Sequence, residues 1–319
     1  MTSLFDLHCD TPTYLFDHGN SLRSSGGHIS LEKAAVFTPY HQVAAIWQRA
    51  NASNDELYRH FLEVVDAFRS ECELNNCRII RTAKELLAAD EEQRAGFSPA
   101  SFLLSIEDCR FLDSPQRLET AYDRGIRILT PLWAGSGPLG GAHDSKQGLT
   151  PLGQSLLRDA AQHGMILDVS HASIRSTFQI IEIASTCGTP VIASHSNCAA
   201  FYPHSRNLTH EEIRALIEAG GIIGASLCPY HLAEMGASVR EAAENIALLS
   251  IAAGKNSVAL GCDFDGTELP AGMTDLKSIS ALDNALAVLG WSQSEREALF
   301  YQNAYKAMYK YLQIMDGKK

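Results

Sequence analysis

The chain has 319 residues, 45% of them hydrophobic, with 37 acidic against 26 basic side chains and a net charge of −11. That balance, without a basic cluster anywhere, argues against nucleic acid or an anionic membrane as partner, and no apolar run reaches the ~18 residues that span a bilayer. The first apolar segment begins too early to follow a signal peptide, and the eight scattered cysteines form no Cys-x-x-Cys pair, which is expected of a reducing, cytoplasmic location.

Length alone suits one large domain or two ordinary ones; the pattern along the chain favours one, over residues 1–319. Short β-rich segments recur: LFDLHC (4–9), QVAAIW (42–47), SFLLSIE (101–107), IRILTPL (126–132), MILDVSH (165–171), PVIASH (190–195), GIIGASL (221–227) and SVALGCD (257–263). Most are near-continuous apolar runs, as in parallel strands covered on both faces. Helical patterns separate them. After the second segment, Leu57, Phe61, Val64, Val65 and Phe68 share one stripe. Between the fourth and fifth, Thr150 caps a helix opened by Pro151 and closed by Gly164. Thr209 with Glu212 three residues later is a capping box. The segments 238–254 and 292–312 complete the series. Eight strands alternating with helices predict an α/β fold, a (β/α)8 TIM-type barrel. A doubly wound open sheet is the rival, but neither Gly-x-Gly-x-x-Gly nor a P-loop follows any strand.

Barrels place their ligand site at the C-terminal ends of the strands. There the first segment ends in His8 and Asp10, the third in Glu107, the fifth in His171, the sixth in His195 and the eighth in Asp263. His8 and Asp10, two apart, point to one side of a strand while Cys9 points away. Each residue has an ordinary alternative: a hydrogen-bonded pair, a solvated loop residue or, for Asp263 and Asp265, a turn before Gly266. Together they are the donor types that suit zinc or a similar divalent ion, and several carboxylates buried together need a cation. His18, His41, His60, His163 and His210 are read as surface residues.

These segments, with LDVSHAS, PVIASHSNCAAFYPHSRN and GCDFDG in order, resemble the membrane (renal) dipeptidase family of metallopeptidases, within the amidohydrolase superfamily. The likeness runs from about residue 4 to 310. It implies two zinc ions, one held by His8, Asp10 and Glu107 and the other by Glu107, His171 and His195, with Glu107 bridging. It also implies that Asp263 is the catalytic acid of the eighth strand and that Arg206 receives the substrate's carboxylate. The implied reaction is hydrolysis of a dipeptide, C-terminal D-residues included, by a metal-bridging hydroxide; the partner is then a small molecule, with no nucleic acid and no membrane.

Two positions depart from the family pattern. Trp133 stands where many members have a histidine facing the scissile carbonyl, and an indole N–H donates but carries no charge. Cys228 stands where an aromatic residue is common. Both bear on the substrate pocket, so a superfamily hydrolase of another amide, lactam or ester is the alternative, and a non-catalytic metal-binding or ligand-binding barrel a third. Tyr301, Tyr305, Tyr309 and Leu312 form a stripe suited to cover the barrel, or a second subunit in a homodimer.

Overall fold

The computed structural model describes residues 2–48 and 52–318. Its strands are β1 (Leu4–Cys9), β2 (Tyr40–Trp47), β3 (Arg78–Ile80), β4 (Ser101–Glu107), β5 (Ile126–Thr130), β6 (Ile166–Asp168), β7 (Val191–Ile192), β8 (Ile223–Ala225) and β9 (Val258–Leu260). All pair in parallel, in the order β7-β6-β5-β4-β2-β1-β9-β8. A bridge between Ala193 and Ile223 joins the two ends, so the sheet closes into the expected barrel. The eight expected segments are its eight staves. The three-residue β3 pairs only with β4, outside the barrel circuit, and is too short to announce itself by periodicity.

Closure depends on two glycines. A Cβ on Gly224 or Gly261 would collide with the carbonyl oxygen of Ser194, so β7 and its neighbours meet there only because these positions lack a side chain. The helices follow the sequence signals closely. Asn54–Leu74 buries Leu57, Phe61, Val64, Val65 and Phe68; Thr150 accepts from the Gly153 N–H; and Thr209 and Glu212 form the reciprocal capping box. The last pattern is not one helix. Gln293–Glu297 passes through a π-helical turn at Ala298–Gln302 into Asn303–Asp316.

That C-terminal helix buries Ala304, Met308, Leu312 and Met315 with Phe5, Leu7, Val43, Leu103, Ile128, Ile166 and Ile192 from the strands. The stripe containing Tyr301, Tyr305, Tyr309 and Leu312 therefore covers the barrel. His41 corrects the surface reading: it is fully buried in β2, within reach of Ser101 Oγ at 2.5 Å and Asp90 at 3.4 Å. Tyr301 also donates to Asp90. No helix among the described residues is long and apolar enough to cross a membrane.

Candidate metal centre

Parallel strands leave their C-terminal ends pointing one way, and the chain ends its apolar runs there with polar residues. Glu107 is the last residue of β4, in register with Trp47 and Thr130 on either side. His8 lies near the end of β1, where the ladder shifts register between Asp6 and Cys9. Asp6 Oδ1 accepts the N–H groups of His8 and Cys262 at this shift, tying β1 to the end of β9. His171 and Asp263 follow their strands with φ of 68° and 63°, the left-handed region that turns the chain sharply.

The result is one cluster. His8 Nε2 lies 2.9 Å from Glu107 Oε2, 3.7 Å from Asp10 Oδ1 and 3.8 Å from Asp263 Oδ1. Across the same carboxylate, His171 Nε2 lies 2.8 Å from Glu107 Oε1 and 2.9 Å from His195 Nε2. Three overlapping groups could each hold a metal ion: His8, Asp10 and Glu107; Glu107, His171 and His195; and His8, His195 and Asp263. Glu107 thus belongs to two groups, and Asp263 flanks the histidines rather than Glu107.

The hydrogen bonds around the imidazoles test whether a cation fits. Ser194 Oγ and Thr130 Oγ1 both donate to Asp168 Oδ2, while Asp168 Oδ1 takes the N–H groups of Ser170 and Ser194 at 2.9 Å each. With its proton committed, Ser194 Oγ accepts from His195 Nδ1 at 2.8 Å, and His8 Nδ1 lies 3.4 Å from the same oxygen. His171 Nδ1 faces the Trp133 carbonyl at 2.8 Å, and a carbonyl only accepts. The pattern therefore puts N–H on Nδ1 of His171 and His195 and lone pairs on their facing Nε2 atoms. Two lone pairs 2.9 Å apart, beside a carboxylate, require a positive charge between them. His8 Nε2, Asp10 Oδ1 and Glu107 Oε2 are likewise buried without an aligned hydrogen-bond partner among the described residues. The donor set fits a hard or borderline divalent cation.

Electrostatics follow from this crowding. Glu107 is fully buried, which opposes its charge, yet positive charge on the side of His171 and His8 holds its carboxyl well below the ordinary range. Burial and the adjoining Asp10 and Glu107 carboxylates push Asp263 well up, against the pull of His8. Burial, with Glu107 beside it, raises Asp10 to about 6.

A cleft of about 390 Å³ opens onto the cluster, lined by Asp10, Tyr14, Trp47, Trp133, His171 and Asp263 among others. The Trp133 ring packs against Trp47 at 5.3 Å and lies 6.4 Å from the His171 ring, while its carbonyl faces His171 Nδ1. Arg206 is buried; its Nη2 donates to the His195 carbonyl at 3.2 Å, and its Nε has no partner among the described residues. Cys228 is buried as well. Gly266 closes the turn after Asp263, and a Cβ there would strike the carboxylates of Asp10 and Asp263.

Sequence reasoning passed over Asp168 and Ser194, which orient the histidines, and gave Asp265 only a turn. The Asp265 carboxylate accepts from Thr11 Oγ1 at 2.6 Å and from the His28 N–H. The only signal for Asp168 and Ser194 was adjacency: each stands within three residues of a histidine already singled out.

Over residues 1–317 the sequence matches the membrane dipeptidase family, peptidase family M19. The chain belongs to that family. It is 31% identical over 232 residues to an uncharacterized protein in the pqqA 5′ region of Klebsiella pneumoniae, covering 68% of this chain and 84% of the other. Dipeptidase 3 of Mus musculus is 24% identical over 225 residues, 67% of this chain and 45% of that protein. A Rhodobacter sphaeroides metallo peptidase, liganded with a phosphinate mimic of the dipeptide L-Ala-D-Ala, superposes with a TM-score of 0.85 at 21% identity, covering 96% of this chain and 98% of that one. The probable dipeptidase PvdM of Pseudomonas aeruginosa gives 0.84 at 18% identity, covering 98% and 96%. These two structures show a shared fold. Family membership makes this M19 chain a metallo-dipeptidase of the hydrolase class, with a metal as cofactor and a small molecule as substrate.

Proposed function

We propose that this M19 member is a two-zinc dipeptidase acting on free dipeptides, with residues 1–319 serving as one barrel domain. The observation that carries the reading is the convergence of the His171 and His195 lone pairs on one carboxylate, Glu107. His8, Asp10 and Glu107 would hold one ion, and Glu107, His171 and His195 the other. Bound there, such ions supply Lewis acidity and lower the pKa of water to near neutrality.

The remaining chemistry falls to the chain's own side chains. Asp263, beside the ligands and made more basic by burial, as its carboxylate takes a proton from the attacking water and, as the acid so formed, gives it to the leaving amine. Arg206 offers an unpartnered Nε from a buried position, and a guanidinium clasps a carboxylate through paired hydrogen bonds. A chain longer than two residues has no carboxylate at that distance, so the selection is for dipeptides. All eight cysteines are free thiols, in keeping with a cytoplasmic protein.

The test is turnover of a dipeptide panel, including C-terminal D-residues, before and after chelation and after zinc is restored. Loss on chelation and recovery with zinc supports the reading; activity indifferent to chelation refutes it. Trp133 in the cleft favours a second reading, hydrolysis of another amide, lactam or ester. Faster turnover of N-acyl amino acids than of any dipeptide would select it.

A further inference from the structure

Beside the metal centre lies a second cavity, of about 530 Å³, whose lining includes His143, Lys146, Arg175, His204, Ser205 and Thr209. Among the described residues its lining has no carboxylate, although the chain as a whole carries eleven more negative than positive charges. Lys146 and Arg175 make no ion pair among the described residues. The nearest acid in sequence, Asp144, lies outside the lining and accepts the Gly135 N–H at 2.7 Å, although its charge reaches His143. Two exposed cations without an ion pair among the described residues, and two imidazoles, thus line one cavity.

The cavity is tied to the centre by its own walls. The His143 N–H donates to the His171 carbonyl at 2.7 Å, and the two imidazole rings lie 6.0 Å apart, edge to face. His143 Nδ1 pairs with Ser205 Oγ at 2.8 Å. His204 Nδ1 accepts the backbone N–H of Arg206 at 3.2 Å. The wall residues are therefore next to both the metal-side histidine and the arginine proposed to hold the substrate's terminus. The loop that carries His143 is held rigidly, with Ala142 and Ala172 bridged and the Ser173 N–H given to Gly141.

We infer that this cavity is a specificity pocket for an acidic side chain on the C-terminal residue of the substrate, with Lys146 and Arg175 pairing its carboxylate. The inference rests on the dipeptidase reading and deepens it by naming the substrate class. Partly exposed pairs are individually weak, but two cations acting on one carboxylate amount to a preference on the order of tenfold.

The experiment compares kcat/KM of the zinc-loaded enzyme for Ala-Asp and Ala-Asn, which match in shape and differ in charge, with the C-terminal residue in both configurations. Wild type is expected to prefer the aspartate form by about tenfold in the better configuration, and K146Q/R175Q to bring the ratio to within about twofold of one. A wild-type ratio near one overturns the inference, as does a preference that survives in the double variant. Ala-Ala turnover by wild type reports separately on the dipeptidase reading: with Ala-Ala cleaved and no charge preference, only the pocket assignment fails.

Discussion

Asp263 and Arg206 carry different parts of the proposed reaction, and substitution separates them. Asp263→Asn keeps shape and hydrogen bonding but cannot shuttle a proton; it is expected to lose at least ~10²-fold in kcat while retaining metal. Metal content and turnover measured on the same sample check this, and near-normal kcat would remove Asp263 from the role. Arg206→Lys gives up the paired geometry, so KM should rise while kcat changes less; an unchanged KM would mean another group anchors the terminus. Ser194→Ala removes the acceptor at His195 Nδ1 and one of the two hydroxyl donors to Asp168 Oδ2, and zinc affinity should fall by ~10–100-fold. Equilibrium dialysis against a zinc buffer reads that loss, and unaltered affinity would deny Ser194 its orienting part. At this scale the cluster was legible because each member ends an apolar run. Asp168 was not, because it sits inside one, and its partners Thr130 and Ser194 are 38 and 26 residues away. His41 misled for a different reason: the expected strand began at Gln42 and left His41 in a loop, whereas β2 starts at Tyr40 and the partners of His41, Asp90 and Tyr301, come from distant helical segments.

The strands and most helices could be read because burial on both faces makes parallel strands continuous apolar runs, and because capping residues mark helix starts. Strand length was overestimated where it matters most. The run 190–195 reduces to Val191–Ile192, since Ser194 and His195 leave the ladder to reach the centre. The π-helical turn at Ala298–Gln302 has no signature in hydrophobic spacing. Two substitutions test the elements. Gly266→Ala drives a methyl into Asp10 and Asp263, so metal binding should collapse while far-ultraviolet circular dichroism stays as in wild type. A variant that binds zinc normally would show that the turn yields. Leu312→Ala, in the helix covering the barrel, should cost about 2–5 kcal/mol of stability through the cavity left behind. Urea unfolding measures this, and a cost below about 1 kcal/mol would mean the helix is loosely docked.

For the molecule as a whole, buried neutral histidines tie stability to pH. Burial pushes the His41 imidazole below its usual value, Arg94 pushes the same way, and Asp90 opposes them. The folded pKa therefore lies below the unfolded one, so the unfolded chain takes up the proton first as pH falls. Stability from this group is complete above about pH 6.5 and drains away below it. The urea midpoint should drop from about pH 7.5 to about pH 5.5, and less steeply in His41→Gln; identical slopes would exclude His41 as a source. Tyr301 and Arg94 face the same site and do not titrate in this range.

The proposed two-ion centre depends on Glu107 lying between two cations. Anomalous diffraction at the zinc edge, from crystals grown with zinc, tests that most directly. The prediction is two peaks, one on each side of the Glu107 carboxylate, the first shared with His8 and Asp10 and the second with His171 and His195. A single peak bound away from Glu107, or no peak within the cluster, would contradict it.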